Sequence, residues 1–262
     1  MTQAINSPAL TYQPSRSLPA RLERRVVQWR TASRLPGPRR PIVSFTFDDF
    51  PKSAGDTGAD IVEGIGGRAC FYACSSMAGI QTVSGEMFDS QDIAALTRAG
   101  HEIGGHTRSH LDCARAGLED VLSDISGGIE DLRAMGLRDP VRQFAYPFGE
   151  TGYGLKRALA DRFDGARGIL GGLNGPGNDR VQLRAVELDG DEDSLPRALS
   201  LLEEAMRRPA WMIVFTHDVR AKPGPWGVQP AILRKLAHAV RDAGAAVLTP
   251  SQAIDEITGG AP

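Results

Sequence analysis

An α/β protein built on a mainly parallel sheet is what this 262-residue sequence predicts. Three observations carry the prediction. Up to eight short apolar or β-branched runs alternate with longer segments of helical period over roughly 220 residues, the pattern of repeated β-α units. A composition of 41% hydrophobic and 24% charged residues is ordinary for a folded domain and excludes disorder or a disulfide mini-scaffold. The longest strongly apolar stretch, Ala210 to Phe215, falls far short of the ~20 residues that cross a bilayer. For eight parallel strands, a barrel is the arrangement that leaves no sheet edge.

In chain order, the strands are expected at Ile42–Phe47, Ala69–Cys74, Glu102–Gly105, Gln143–Tyr146, Ala166–Ile169, Ala185–Leu188, Trp211–Thr216 and Ala246–Leu248. Helices are expected between most of them, at Gly58–Gly64, Ser90–Ala99, Leu118–Met135, Leu155–Arg162, Leu195–Arg207 and Pro230–Ala243. The three cysteines suit a reducing compartment. Cys70 and Cys74 share one strand, which puts their Cα atoms about 13 Å apart, too far for a disulfide. Cys113 reads as a small buried residue.

The net charge of −2 conceals an uneven distribution. Arg16, Arg21, Arg24, Arg25, Arg30, Arg34, Arg39 and Arg40 stand against Glu23 alone in residues 1–40, a balance of +7 that leaves −9 for the rest of the chain. Residues 1–18 have no periodicity and read as an extended arm. From Pro19 to about Arg30, Leu22, Val26 and Trp29 recur at helical spacing between arginines. The spacing predicts an amphipathic helix that lays this stripe against the main domain. The second reading is a membrane-surface helix, giving peripheral contact with an anionic membrane through residues 16–40. The leader lacks the apolar core of about 7 to 15 residues of a secretory signal. The chain therefore reads as soluble and cytoplasmic, with an organelle transit leader as the alternative. The expected division is a basic arm and helix over 1–40 and a catalytic domain over 41–255.

In a parallel barrel, chemistry sits at the C-terminal ends of the strands. The first strand runs into Asp48 and Asp49, adjacent carboxylates that serve one site only if the chain leaves strand geometry there, as Pro51 permits. The third ends in His106-Thr107-Arg108-Ser109-His110; histidines four apart lie on one side of a helical turn and can grip one metal ion. The fourth ends in Tyr146-Pro147-Phe148-Gly149, a tight turn whose N–H groups can point into the barrel mouth. The seventh delivers His217 and Asp218. Asp49, His106 and His110 supply three protein ligands with positions left open for water and substrate, the arrangement of a catalytic metal site. No phosphate-binding, dinucleotide-binding or nucleophilic-serine motif competes with this reading.

With these residues in hand, the chain resembles the polysaccharide deacetylases of carbohydrate esterase family 4. The resemblance spans about residues 41–250 and rests on the ordered motifs Thr46-Phe47-Asp48-Asp49, His106-Thr107-x-x-His110, Tyr146-Pro147-Phe148-Gly149 and the strand-end His217. It implies a distorted (β/α)7-8 barrel and metal-dependent removal of acetyl groups from N-acetylated amino sugars, with a carbohydrate substrate and no nucleic-acid partner. It further implies Asp48 as catalytic base, His217 as general acid, and Asp49, His106 and His110 as ligands of a divalent metal. Zinc is the expected metal, with cobalt, nickel or manganese as alternatives. The Phe148 backbone N–H is the expected oxyanion donor, and Tyr146 and Trp226 are expected at the substrate. Two departures stand out. The arginine that holds the base in many family members is replaced by Ala145, with Arg142 at an odd offset from that position. The carboxylate expected to tune the acid histidine has only Asp189, Asp191 and Asp193 as candidates. An O-acetyl esterase or small-amide hydrolase on the same machinery, and a catalytically silent carbohydrate-binding barrel, are the competing readings.

Overall fold

The computed structural model describes residues 17–259; the extended arm expected over the first residues falls almost wholly outside them. Helix α1 (Leu18–Trp29) leads into β1 (Ile42–Asp49), α2 (Ala59–Glu63), β2 (Cys70–Ala73), a small hairpin β3 (Gln81–Thr82) and β4 (Gly85–Glu86), and α3 (Ser90–Arg98). There follow β5 (Glu102–Gly105), α4 (Leu118–Ala134), β6 (Gln143–Ala145), α5 (Tyr153–Ala160), β7 (Gly165–Arg167) and β8 (Val186–Glu187). The chain continues through α6 (Ser194–Arg207), β9 (Trp211–Thr216), α7 (Pro230–Ala243), β10 (Ala246–Val247) and α8 (Pro250–Thr258). The main sheet is parallel throughout, in the order β7-β6-β5-β2-β1-β9-β8, with β10 joining β1 at its start. A bridge from Arg167 to Leu183 ties the β7 edge to the segment entering β8. The sheet thus curls into the distorted (β/α) barrel that the sequence predicts.

The period of two along β1 explains how a barrel strand delivers a carboxylate to its mouth. Val43, Phe45 and Phe47 face outward into the cluster formed with the helices, where Met212, Val214, Leu233 and Leu236 also pack. The alternate residues Ser44, Thr46 and Asp48 face the interior, and each polar group meets a partner. The Trp211 indole N–H donates to Ser44 Oγ at 2.9 Å, and Thr46 Oγ1 donates to the Val214 carbonyl at 2.8 Å. Gly104 makes room for the side chain of its register partner on β2, since a Cβ there would lie 2.5 Å from the Tyr72 ring.

The sequence reading missed α8. Its signature is present: Thr249 caps the helix by accepting from the Gln252 N–H, and Gln252 returns a bond to the Thr249 N–H. Ala253 and Ile254 pack with Ile42, Leu183, Trp211 and Phe215, covering the end of the barrel opposite the site. Arg142 is occupied there, bonded to Asp164 and Asp255.

The leader is the larger correction. A helix does form over Leu18–Trp29, but the stripe expected to pack is the exposed face: Leu22, Val26 and Trp29 are 65, 46 and 85% exposed, and Leu18, which the helix adds to the same face, is 80% exposed. The opposite side docks. Val27 is buried, Arg24 pairs with Glu150, and the buried Lys156 ammonium donates to the Val27 and Arg30 carbonyls at 2.8 Å each. Lys156 also pairs with Asp179, whose carboxylate accepts from the Ala32 and Ser33 N–H groups just past the helix. A buried cation ligating the last carbonyls of a helix satisfies both the terminal acceptors and the helix dipole. Periodicity located the stripe, and this polar anchor reversed its direction.

Candidate metal and catalytic site

At the C-terminal end of β1 the chain leaves strand geometry: Asp49 and Phe50 have φ of 60° and 59°. The left-handed turn brings both carboxylates to one mouth, where a regular strand would send them to opposite faces. His106 and His110 also converge, with ring centroids 5.0 Å apart, although the segment joining them is not the helical turn that their spacing suggests. Thr107 and His110 have φ of 60° and 56° instead. Helix α4 holds this loop: Asp124 accepts from the N–H groups of Arg108 and Ser109 and from the Ser109 hydroxyl. Phe148, with φ of 59°, is the remaining non-glycine residue of positive φ among the described residues. All five lie in the three loops that build the mouth, and strain of about 1–3 kcal/mol per residue persists only where the surrounding structure fixes it.

Asp49, His106 and His110 each offer one ligand atom, and these atoms lie within 4.8 Å of one another. Asp49 Oδ1 is 3.5 Å from His106 Nε2 and 3.4 Å from His110 Nε2. That oxygen is buried and has no hydrogen-bond partner among the described residues. His106 donates from Nδ1 to the Ala145 carbonyl at 2.8 Å, which leaves the Nε2 lone pair pointing at Asp49. Burial lowers the His106 pKa to about 4 despite the opposing pull of Asp48, so the ring is the neutral form that a metal requires. Two imidazoles and a carboxylate around an orphaned oxygen are a donor set that fits a divalent metal with coordination positions left open.

Asp48 is buried beside this cluster, and the residue that holds it is one the sequence reading missed. Arg167 Nη2 donates to Asp48 Oδ1. Arg167 is the direct β7 partner of Ala145 on β6, so the guanidinium enters one strand over from the position where many family members carry an arginine. Its side chain is fully buried and sits against the Tyr72 and Phe215 rings, 5.1 and 4.8 Å from their centroids. Burial by itself would raise the Asp48 pKa, but Arg167, His106 and His217 together hold it below the usual carboxylate range. Asp48 is therefore ionised at neutral pH. The sequence signal was available, because an arginine inside an apolar strand run requires an acidic partner.

His217 stands across the mouth with Nε2 4.0 Å from Asp49 Oδ2. Its Nδ1 faces the Trp226 carbonyl at 3.3 Å, and the Trp226 ring lies 5.9 Å from the imidazole. None of Asp189, Asp191 and Asp193 bonds to His217. Asp189 and Asp191 accept instead from the N–H groups of Asp191 and Asp193. Besides Asp48 and Asp49, Glu187 on β8 lies within electrostatic reach of His217; burial and Asp189 raise its pKa against the opposing pull of His217. The loop carrying Trp226 is pinned by buried Asp218, which accepts from the Gly224 N–H at 2.9 Å. A Cβ at Gly227 would lie 2.2 Å from Asp218 Oδ1, so this fold of the loop demands glycine. Phe148 packs its ring edge-on against His110, centroids 4.5 Å apart. Tyr146 does not line the mouth: its ring is buried with Phe144 and its hydroxyl donates to the Val181 carbonyl at 2.8 Å.

The fold and this cluster define a deacetylase-type (β/α) barrel with a candidate Asp-His-His metal site. Residues 36–161 match the family model for polysaccharide deacetylase. No curated protein matches it. Among solved structures, the chitin deacetylase of Colletotrichum lindemuthianum is similar with 18% identity over 89% of this chain and 94% of its own, at a TM-score of 0.61. A family 4 acetyl xylan esterase of Clostridium thermocellum, in complex with a cobalt ion, shares 19% identity over 83% of this chain and 92% of its own, TM-score 0.58. A family 4 pseudoenzyme of Bacillus anthracis shares 15% identity over 84% and 67%, TM-score 0.56. At these identities the likeness is one of fold.

Proposed function

We propose that the protein is a metal-dependent hydrolase that removes acetyl groups from N-acetylated amino sugars in oligo- or polysaccharide. The observation that carries this reading is the convergence of an ionised, arginine-held Asp48, the Asp49-His106-His110 donor set and His217 at one barrel mouth. Asp49, His106 and His110 would hold a divalent metal, with zinc the expected ion, which would supply water of lowered pKa and polarise an acyl oxygen. Asp48 takes the proton from the attacking water. His217, with Nδ1–H directed at the Trp226 carbonyl, gives a proton from Nε2 to the departing amine. The Phe148 N–H meets the oxygen on which negative charge develops. Trp226, 38% exposed beside His217, offers a sugar-stacking face.

The esterase among the structural neighbours supports O-deacetylation as a second reading of the same site. Acetate release by the zinc-loaded protein from chitooligosaccharides, a β-1,6-linked N-acetylglucosamine polymer and acetylated xylan separates the two. Release from the amino sugars, abolished by chelation, is the expected result. Release from xylan alone moves the activity to esters, and release from none of the three sinks both readings in favour of a silent barrel.

A further inference from the structure

Helix α1 presents a feature that deacetylation does not use. Leu18, Leu22, Val26 and Trp29 fall within roughly a quarter of the helix circumference at about 100° per residue, and all four are exposed. An apolar stripe on a loosely held helix would simply roll inward. This helix is prevented from doing so, because Lys156 grips its last carbonyls, Asp179 takes the N–H groups that follow, and Arg24 pairs with Glu150, all on the opposite side. The fold therefore holds the stripe outward by a buried polar network.

The charge around the stripe points to what it meets. Arg25, Arg30, Arg34 and Arg39 are exposed on and just after the helix, and no acidic residue occurs from Arg24 to Arg40. A symmetric contact between two copies would place the same basic patch against itself, at a cost in like-charge repulsion. A surface of dense negative charge over an apolar interior suits the pattern: arginines reach phosphates while the leucines, the valine and the interfacial tryptophan enter the boundary below. We propose that α1 docks the protein on an anionic lipid bilayer through Leu18, Leu22, Val26 and Trp29, with the flanking arginines on lipid phosphates. Glu150, the partner of Arg24, directly follows the Pro147–Gly149 turn whose Phe148 touches His110, so the docked helix lies close to the candidate site.

The test is co-sedimentation of the full chain with phosphatidylcholine vesicles, with and without phosphatidylglycerol. The expected result is binding to the phosphatidylglycerol vesicles only, weakened by salt. The double variant Leu22→Glu/Trp29→Glu should lose roughly tenfold or more in vesicle affinity, while its circular dichroism and its thermal midpoint stay as in the parent, since both residues are exposed. The proposal is overturned by no binding to anionic vesicles, by equal binding of the parent and the double variant, or by a parent dimer in sedimentation equilibrium that the double variant converts to monomer.

Discussion

Two buried cation–carboxylate pairs anchor the two distinctive regions of this molecule, and they differ in how completely they are satisfied. At the base of α1, Lys156 spends its three protons on the Val27 carbonyl, the Arg30 carbonyl and Gln182 Oε1, all at 2.8 Å. Its partner Asp179 accepts from the Ala32, Ser33 and Val181 N–H groups as well. In the barrel mouth, Arg167 meets Asp48 and the Gly168 carbonyl but leaves its Nε buried without a partner, and Asp49 Oδ1 and His110 Nδ1 in the donor set are likewise unpaired among the described residues. A fully bonded buried network specifies structure, whereas buried polar groups left open cost about 1–3 kcal/mol each and are kept where they do chemistry. The contrast sets the Lys156 pair, which holds a helix, apart from the Arg167 pair, which holds the carboxylate proposed as the base.

The largest effect expected from breaking the open region is at His110. His110→Ala should remove one of three donors, so metal content after gel filtration falls well below that of the parent and acetate release drops to background; full metal occupancy would remove His110 from the ligand set. Next comes Arg167→Met. It strips a buried carboxylate of its countercharge, and such breaks cost about 3–5 kcal/mol. It should also shift the rate profile. Arg167 depresses the Asp48 pKa, so without it Asp48 accepts a proton at higher pH and the acidic limb of kcat/KM moves up. The stability the pair contributes is present above the ordinary aspartate value of about 3.9 and is lost as pH falls through the lowered value. A profile unmoved in the variant would show that Arg167 does not tune the base.

On the satisfied side, Lys156→Met should lower the unfolding free energy by a similar order, about 3 kcal/mol, because Asp179 stays buried without its cation. Acetate release per folded molecule from a soluble chitooligosaccharide should stay within about threefold of the parent, a contrast with any change at Asp48. Activity that collapses with Lys156 would erase the division between the two regions. The smallest effect is expected from Arg142→Ala. Its pairs with Asp164 and Asp255 are partly exposed, worth about 1 kcal/mol or less in stability, and the acidic limb should not move.

How much of this was legible before the structure depends on whether a feature is local. The eight strands and their polar ends are visible because an apolar run followed by Asp or His is a pattern of neighbours in sequence. The Thr249–Gln252 capping box of α8 was visible too, but short helices at a chain end carry little periodic signal. Arg167 within an apolar run signals only that some acidic partner exists; that the partner is Asp48 depends on the β6–β7 register that sets Arg167 beside Ala145, and register is a tertiary fact. The geometry of His106 to His110 was misjudged because spacing of four presupposes a helix, while positive φ at Thr107 and His110 builds the same convergence from a loop. The orientation of α1 was unreadable because two faces competed, and a lysine 126 residues from Arg30 in sequence decided between them.

The most direct test of the account is acetate release from a chitooligosaccharide by Asp48→Asn, measured beside the parent at matched zinc content. Asparagine keeps the size of the side chain and can still accept from Arg167, but it takes no proton from water. The account predicts metal occupancy equal to the parent and a turnover lower by roughly 10²–10⁴-fold, the usual contribution of a positioned base. Turnover equal to that of the parent at equal metal content would contradict it.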